Sequence, residues 1–367
     1  EPYFDYGAID PTPAIQKFPI KNSSPKIEWN DLTVLPEVTF PAITVGWNAT
    51  DLDGDETITE IHLALNDTTN FIKLNGSTRL VSLIIENLNS ENADMNIFIN
   101  ADGDKKFSEN LPNLILNGNN KLFIKAVDNS GAASKFVSLP NDDKSWFVKK
   151  PKGDLLLVDD YPAGVAVTDF YKQKFDDFYL NQYDIFNIET TSLPYESITY
   201  LNTLKLFKKI FWFSGSSPRL DLSNLITQKF LQGGGKIAYS MTFQDSSANF
   251  DFSIQTLQAF LPIESFDSKK PISFLFSGAN IVSSTDFSNF ADLSTKSTIG
   301  FVRTFKTSNI TSKKVYDLTS QQLNGEIALM NNTKTLFFIG LPLHQCDANG
   351  NVGNVLQEIF INEFGLN

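Results

Sequence analysis

Apolar and polar residues alternate along several short stretches in the first 150 residues of the chain. These stretches are residues 43–48, 57–65, 80–85, 95–99 and 122–127. A period of two is typical of a half-buried β-strand. Turn-forming residues separate the stretches, and no helical period lies between them. The pattern therefore predicts an all-β sandwich over residues 36–150, preceded by an extended segment at residues 1–35.

The pattern changes near residue 150, where a charged segment ending in Pro151 and Gly153 predicts a domain boundary. Short continuous apolar runs, typical of strands buried on both faces, then alternate with segments of helical period. This alternation predicts an α/β domain over residues 151–367, built as three layers around a doubly wound parallel sheet. Residues 262–320 do not fit the alternation and are expected to form an inserted or modified section.

Both predicted domains resemble known families. Residues 45–55 and 122–131 contain the segments Trp-Asn-Ala-Thr-Asp-Leu-Asp-Gly-Asp and Ala-Val-Asp-Asn-Ser-Gly. These segments resemble strands of fibronectin type III and immunoglobulin-like domains in bacterial exported proteins. The later half resembles the class I glutamine amidotransferase fold, which is flavodoxin-like, above all through the helix, glycine stop and strand at residues 230–240. The resemblance implies a spacer or adhesive sandwich joined to an amidotransferase-like domain.

The sequence departs from that family at the position of the nucleophile. Active amidotransferases carry a Cys between glycines just after this strand, because the turn there strains the backbone. Here the strand continues through Ser240 with neither Cys nor flanking glycine. Ser240, His344 and Asp347 can be written as a Ser–His–Asp triad. Because the glycines are absent, we expect a noncatalytic domain, and a hydrolase using these three residues is the alternative.

Residues that follow the predicted parallel strands form a candidate ligand crevice. Ligands of open α/β sheets bind at the carboxyl edge of the strands. The candidates are Asp159, Asp160, Ser214, Gly215, Ser216, Ser240 and His344. The Asp and Ser residues among them are explained equally well as caps of the following helices.

Two acidic loops could hold calcium, which prefers oxygen ligands. One contains Asn100, Asp102, Asp104 and Ser108, and the other spans residues 51–56. Neither matches an EF-hand, and loops are commonly rich in Asp, Asn and Gly. We therefore favour solvated turns, with calcium as the alternative, and expect no other cofactor.

Composition narrows the range of partners and locations. The net charge of -12 opposes binding to nucleic acids and to anionic membrane surfaces. No apolar run reaches the roughly 18 residues of a transmembrane helix. Cys346 is the only cysteine, so no intrachain disulfide can form. The start at Glu1 leads to the hypothesis of a removed signal that ended in a lipid-anchored Cys. Together with the resemblance, it predicts an extracellular, periplasmic or outer-membrane-anchored bacterial protein.

Three functions follow from these observations. The leading prediction is a noncatalytic binding or scaffold protein of the cell surface, whose ligand is a glycan or another protein. It requires an open crevice with exposed aromatic side chains. The hydrolase requires a hydrogen bond between Ser240 and His344. The third, a structural subunit of a surface assembly, requires a broad exposed apolar patch without a crevice.

Overall fold

The computed structural model describes residues 22–90, 92–100, 105–141, 143–162, 165–245 and 252–366. Strands make up 39% of the structure and helices 17%. The strands of the first half are β1 (Lys26–Trp29), β2 (Val38–Thr39), β3 (Ala42–Thr50), β4 (Ile58–Leu65), β5 (Phe71–Asn75), β6 (Leu80–Ile85), β7 (Asn92–Ile99), β8 (Leu111–Ile115), β9 (Gly118–Asn120), β10 (Leu122–Asp128), β11 (Val137–Leu139) and β12 (Trp146–Val148).

Two antiparallel sheets enclose the core of this half. One has the order β1-β3-β6-β7-β8 and the other β11-β10-β4-β5, while β2, β12 and β9 form a small third sheet. Alternate residues of each strand point inward, so Trp47, Leu63 and Ile97 from different strands meet in one buried cluster. Trp146 joins the same cluster and donates its indole N–H to the Thr39 hydroxyl at 2.8 Å.

The second half contains thirteen further strands and five α-helices among the described residues. In chain order they are β13 (Leu155–Asp160), α1 (Thr168–Asp176), β14 (Tyr183–Asn187), α2 (Glu196–Leu204), β15 (Lys209–Ser214), α3 (Leu220–Gln232), β16 (Lys236–Ser240), α4 (Ile254–Gln258), β17 (Ile263–Phe266), β18 (Ile272–Leu275), β19 (Asn280–Ser283), β20 (Leu293–Ser294), β21 (Ile299–Val302), β22 (Phe305–Thr307), β23 (Ser312–Thr319), β24 (Asn324–Asn331), β25 (Leu336–Ile339) and α5 (Val352–Gln357). A π-helical turn, Glu358–Glu363, continues α5.

A mixed sheet of eleven strands dominates this half. Its parallel part has the order β14-β13-β15-β16-β25, and it continues from β25 through antiparallel pairs to β24, β23, β19 and β20. Strands β22 and β17 extend from β24 along a side branch. Consecutive residues of β13 are fully buried on opposite faces, Leu155 in one core cluster and Leu156 in another. This double burial explains the continuous apolar runs in the sequence.

The predicted three-layer, doubly wound parallel domain is therefore wrong. The parallel strands belong to a mixed sheet, and the five α-helices are short, from five to thirteen residues. The prediction failed because residues 262–320 were expected to be an inserted section. They form strands instead, and several of these extend the same sheet by antiparallel pairing, which needs no crossover helix.

The two halves of the chain touch through α2 and β3. The backbone N–H of Thr44 in β3 donates to the Thr199 hydroxyl of α2 at 3.1 Å, and both residues are fully buried. Further contacts join Phe40 with Phe207, Asn30 with Tyr195, and Lys149 with Asp184. The β-rich first half is thus packed against the helical face of the second half. The predicted boundary near residue 150 stays a prediction.

Candidate ligand-binding site

A cavity of about 250 Å³ opens at the carboxyl ends of β13, β15, β16 and β25. Parallel pairing brings these four ends to one edge of the sheet, which is the usual ligand edge of such sheets. The described residues that line the cavity are Tyr161, Val165, Val167, Gly215, Ser216, Thr242, Thr298, Ile299, Gly300, Pro342, His344 and Gln345. It combines apolar walls with a few polar groups, as small-molecule sites usually do.

His344 is the titratable residue in the lining that stands out. It lies in a 3₁₀ turn, Leu343–Gln345, just after β25, and its Nδ1 is enclosed without a hydrogen-bond partner. Burial lowers the pKa of the imidazole to about 4, and the positive charge of Lys296 adds to the shift. The ring is therefore neutral at physiological pH, so one of its nitrogens donates a hydrogen bond and the other accepts one.

Aromatic side chains fix the orientation of this ring. Tyr161, Phe170 and Tyr171 stand edge-on to it, with centroid distances of 5.7, 6.3 and 6.1 Å. The backbone N–H of His344 donates to the Tyr171 hydroxyl at 3.1 Å. Three rings and a backbone hydrogen bond constrain the residue, so the orientation of the imidazole is fixed by its surroundings.

Ser240 has a structural role at the end of β16. Its side chain is fully buried, and its Oγ donates to the Leu341 carbonyl at 3.1 Å and accepts from the Leu343 N–H at 2.8 Å. Both partners belong to the backbone that carries His344 into the cavity. Ser240 thus holds this backbone segment, and its hydroxyl is already engaged as donor and acceptor.

Asp347, the third member of the predicted triad, has partners other than His344, and its neighbour Cys346 is buried. Asp347 pairs with Lys174 of α1 at 3.0 Å and accepts the Val352 N–H at the start of α5 at 3.0 Å. Burial raises the pKa of the Cys346 thiol, which is completely enclosed. Neither Ser240 nor Asp347 hydrogen bonds to the imidazole of His344, so the three residues do not form a catalytic array in this structure.

Asp159 and Ser214 stabilise the backbone next to the cavity through hydrogen bonds. One carboxylate oxygen of Asp159 accepts the Tyr161 N–H at 3.1 Å, and the other accepts the Thr168 hydroxyl in the first turn of α1. Ser214 donates from Oγ to the Asp160 carbonyl at 2.8 Å, which ties β15 to β13. Local hydrogen bonds to the loop and to α1 therefore account for Asp159, and a link between two strands accounts for Ser214.

Asp160 is a buried carboxyl group with an unusual environment. Its Oδ2 accepts from the Trp212 indole at 2.9 Å and from the Arg219 backbone N–H at 2.8 Å, while Oδ1 is enclosed without a partner. Burial raises the pKa of Asp160 to about 8, because desolvation disfavours the charged form more than these two donors favour it. The group is mainly protonated at neutral pH and adds little negative charge beneath the cavity.

The structure thus divides the seven predicted crevice residues. Those that line the cavity are Gly215, Ser216 and His344. Asp159, Asp160, Ser214 and Ser240 are buried and make the hydrogen bonds described above. The strand pattern placed these residues at the ends of parallel strands, but it could not distinguish the residues that line the cavity from those that support it.

Three phenylalanines beside the cavity were not predicted from the sequence. Phe274, Phe276 and Phe301 have exposed fractions of 62%, 58% and 36%. Phe274 lies in β18 and Phe301 in β21, two strands that pair antiparallel, and Phe276 follows β18 directly. In this pair Phe274 lies opposite Gly300, which lines the cavity. The apolar run around residues 272–276 signals a strand, but its sequence indicates burial as readily as exposure.

A second, larger cavity of about 540 Å³ lies beside Arg303. Arg303 is 8% exposed, and its guanidinium group pairs with Asp245 and donates to the Lys269 carbonyl at 2.8 Å. The ring of Phe266 lies 4.2 Å from the guanidinium carbon. Asp245 already compensates the positive charge of Arg303. This cavity therefore attracts an anionic ligand less than the first cavity does.

The calcium candidates fall partly outside the described residues. Asp102 and Asp104 are among the residues not described, whereas Asn100 directly follows β7 in a left-handed conformation and Ser108 is exposed. In the loop at 51–56, Asp51 and Asp55 hydrogen bond to the loop backbone. Within the described part of the chain, no group of three or more His, Cys, Asp or Glu side chains is arranged to hold a metal ion. Calcium binding stays an untested alternative.

No protein-family model matches the chain, and no curated protein matches it at a significant level. The predicted resemblances are therefore wrong, both to fibronectin type III or immunoglobulin-like domains and to class I glutamine amidotransferases. The strand-rich architecture also lacks the flavodoxin-like arrangement. The short segments that suggested them are strand ends and turns, which unrelated folds share. In the described residues, no helix is both long and apolar enough to cross a membrane.

Proposed function

We propose that this chain is a noncatalytic ligand-binding protein and that the cavity at the carboxyl edge of the parallel strands is its binding site. The observation that carries the proposal is the pre-organised neutral imidazole of His344 in the wall of this cavity. Phe274 is exposed and lies opposite Gly300 of the lining, so it places an aromatic ring next to the cavity. Binding sites commonly combine an apolar surface with a few fixed polar groups.

The same geometry gives little support to hydrolysis. A serine nucleophile needs a base within hydrogen-bond reach, and Ser240 instead contacts two backbone groups while being fully buried. His344 has no carboxylate partner on its enclosed Nδ1 to orient it as a base. These contacts favour the binding role over the Ser240 hydrolase.

The β-rich first half is proposed to serve as a scaffold. Its contacts with α2 lie on buried residues such as Thr44 and Thr199, and they leave the cavity lining to the second half. A surface or exported location, and a glycan or protein as the natural ligand, stay predictions. Cell fractionation with an antibody to the chain would test the location.

The two histidines of the chain allow a direct test of binding. His344 lines the cavity, whereas His62 lies on β4 in the first half, stacked on Phe71 at 4.2 Å. Protein labelled with ¹³C-histidine would be screened by NMR against a library of small fragments. We expect some fragments to shift the His344 ring signals while His62 stays unchanged, because only one of the two rings lies in the cavity.

A variant that fills the cavity provides the control. A Cβ at Gly300 would meet only the Ser273 carbonyl oxygen, at 3.6 Å, so Gly300→Ala should be tolerated and keep binding. Gly300→Trp would place an indole in the lining and should abolish the fragment shifts, with folding checked by circular dichroism. The proposal is wrong if no fragment shifts His344, or if Ser240-dependent turnover of ester or amide substrates is found.

A further inference from the structure

Lys296 supplies a positive charge next to the cavity. The residue is exposed, its Nζ lies 4.8 Å from the centre of the Phe170 ring, and its backbone N–H donates to the Gln345 carbonyl at 2.8 Å. Gln345 and Thr298, on either side of it, line the cavity. No carboxylate of the described residues forms an ion pair with Lys296. Its charge reaches His344, where it helps to lower the pKa of the imidazole.

The lining of the cavity lacks acidic side chains among the described residues. None of the described residues that line it is Asp or Glu, although the chain carries 42 acidic residues and a net charge of -12. The nearby Asp160 is mainly protonated at neutral pH, because burial raises its pKa to about 8. Asp159 is engaged with Tyr161 and Thr168. An anion in this cavity would therefore meet a local positive charge in an acidic protein.

The neutral imidazole of His344 adds a hydrogen-bond donor. Its Nδ1 is enclosed without a partner, and an enclosed N–H without an acceptor is rarer than an enclosed acceptor without a donor. The proton of the neutral ring is therefore assigned to Nε2, the nitrogen that is not enclosed. A ligand oxygen with a lone pair is the natural partner of this N–H group.

The remaining walls accommodate an apolar group of limited size. Tyr161, Val167 and Ile299 are largely buried and contribute carbon surface to the lining. The volume of about 250 Å³ is slightly below the ~300–1,000 Å³ usual for sites of drug-sized ligands. The occupant is therefore expected to be a small molecule or a single residue of a larger one.

From the charge of Lys296, the donor on His344 and the apolar walls, we infer that the cavity binds a carboxylate attached to a small apolar group. One carboxylate oxygen accepts the Nε2–H of His344, the negative charge faces Lys296, and the apolar group contacts Tyr161 and Ile299. Two sources share this chemistry, a free carboxylic acid and the C-terminal residue of a peptide. This inference rests on the proposed function.

The test compares a carboxylate with its uncharged analogue. 3-Phenylpropionate and 3-phenylpropionamide would be titrated into ¹³C-histidine-labelled protein at low ionic strength, with the His344 signals reporting occupancy. We expect the acid to bind about twofold to fivefold more tightly than the amide, because an exposed ion pair adds a modest free energy. High salt should reduce this preference, since it screens the charge of Lys296.

Substitution of the lysine separates charge from shape. Lys296→Gln should remove the preference for the acid and leave the affinity for the amide unchanged. The matched control is Lys229→Gln, which removes another exposed lysine from α3, a helix that packs on the opposite face of the sheet. This control should leave both affinities unaltered, which would exclude a general effect of net charge.

Peptides distinguish the two sources. N-acetyl-Gly-Gly-Phe with a free C-terminus would be compared with its C-terminal amide in the same assay. Selective binding of the free peptide assigns the site to C-terminal residues, whereas binding of 3-phenylpropionate alone assigns it to free acids. Either result supports the carboxylate inference.

The inference and the proposed function fail in different ways. Equal binding of acid and amide that Gly300→Trp abolishes would overturn the carboxylate inference and retain the cavity as a binding site. The carboxylate inference would also be overturned, and the binding site retained, if every library fragment that shifts His344 lacks a carboxylate. A cavity that responds to no fragment and to neither phenylpropionate nor its amide would overturn both.

Discussion

Replacement of Ser240 by alanine tests the structural role of this buried serine. The substitution removes an Oγ that donates to the Leu341 carbonyl and accepts from the Leu343 N–H. Both backbone groups would lose this partner at a position where the side chain is completely buried. A buried polar group left unpaired costs about 1–3 kcal/mol. We therefore expect Ser240→Ala to lower the free energy of unfolding by about 2–3 kcal/mol.

Ser223→Ala is the matched control for this experiment. Ser223 is also a fully buried serine of the second half, and its Oγ donates to the Arg219 carbonyl at 3.2 Å. That carbonyl also accepts the Ser223 backbone N–H at 3.0 Å, so removal of the hydroxyl leaves it paired. The loss for Ser223→Ala should stay below about 1 kcal/mol, because no buried group is left unpaired.

Thermal and urea unfolding followed by circular dichroism would measure both variants. For a unit of about 200 residues, 1 kcal/mol corresponds to roughly 2–4 °C in melting temperature. The Ser240 variant should therefore melt roughly 4–12 °C below the wild type. Equal losses for the two serines would refute the anchoring role of Ser240. A catalytic serine would instead show lost turnover with little change in stability.

Four further predictions concern titration and packing. Burial raises the pKa of Asp160 to about 8, whereas its pKa in the unfolded chain is about 4. Between these two values the folded state keeps a proton that the unfolded state has released. The free energy of unfolding should therefore fall as the pH rises from about 4 to about 8. Asp160→Asn should flatten this slope in urea titrations at several pH values. His344 has its pKa lowered to about 4, so its NMR signals should not titrate between about pH 5.5 and 8, and its contribution to stability is lost as the pH falls from about 6.5 to 4. Gly46→Ala should destabilise the chain by about 1–3 kcal/mol, because a Cβ there overlaps the Tyr195 hydroxyl at the contact between the halves, whereas Gly353→Ala in α5 should stabilise it by about 0.5–1 kcal/mol.

Each of these predictions has an opposite outcome. An Asp160→Asn protein with the pH slope of the wild type would show that this carboxyl is ionised in the folded state. A His344 signal with a midpoint near pH 6.5 would show a solvated ring and remove the neutral donor from the cavity. Equal stability of the Gly46→Ala protein and the wild type would show that the approach of Tyr195 to β3 is loose. A loss of stability in Gly353→Ala would show that its Cβ is not accommodated beside Lys174.

Local sequence patterns located many individual elements. The apolar run before Asp159 and the run at Lys209–Ser214 are strands, and the segment of helical period that ends before Gly233 is α3. A strand buried on both faces reads as a continuous apolar run, and a helix buried on one face shows apolar residues at a period of 3.6. Placement of the candidate crevice at the strand ends followed from the same pattern.

The tertiary structure alone decided how those elements are arranged. Several strands within residues 262–320 extend the sheet beyond β25 and β24 by antiparallel pairing. Nothing in a short alternating strand specifies which partner it takes or in which direction. The same limit explains the phenylalanines at 274 and 276, whose exposure depends on what packs above them. It also explains Ser240 and His344, which sequence reasoning joined in a triad. Whether two polar side chains face each other depends on backbone orientations set by distant residues, such as the Leu341 and Leu343 groups that engage the Ser240 hydroxyl.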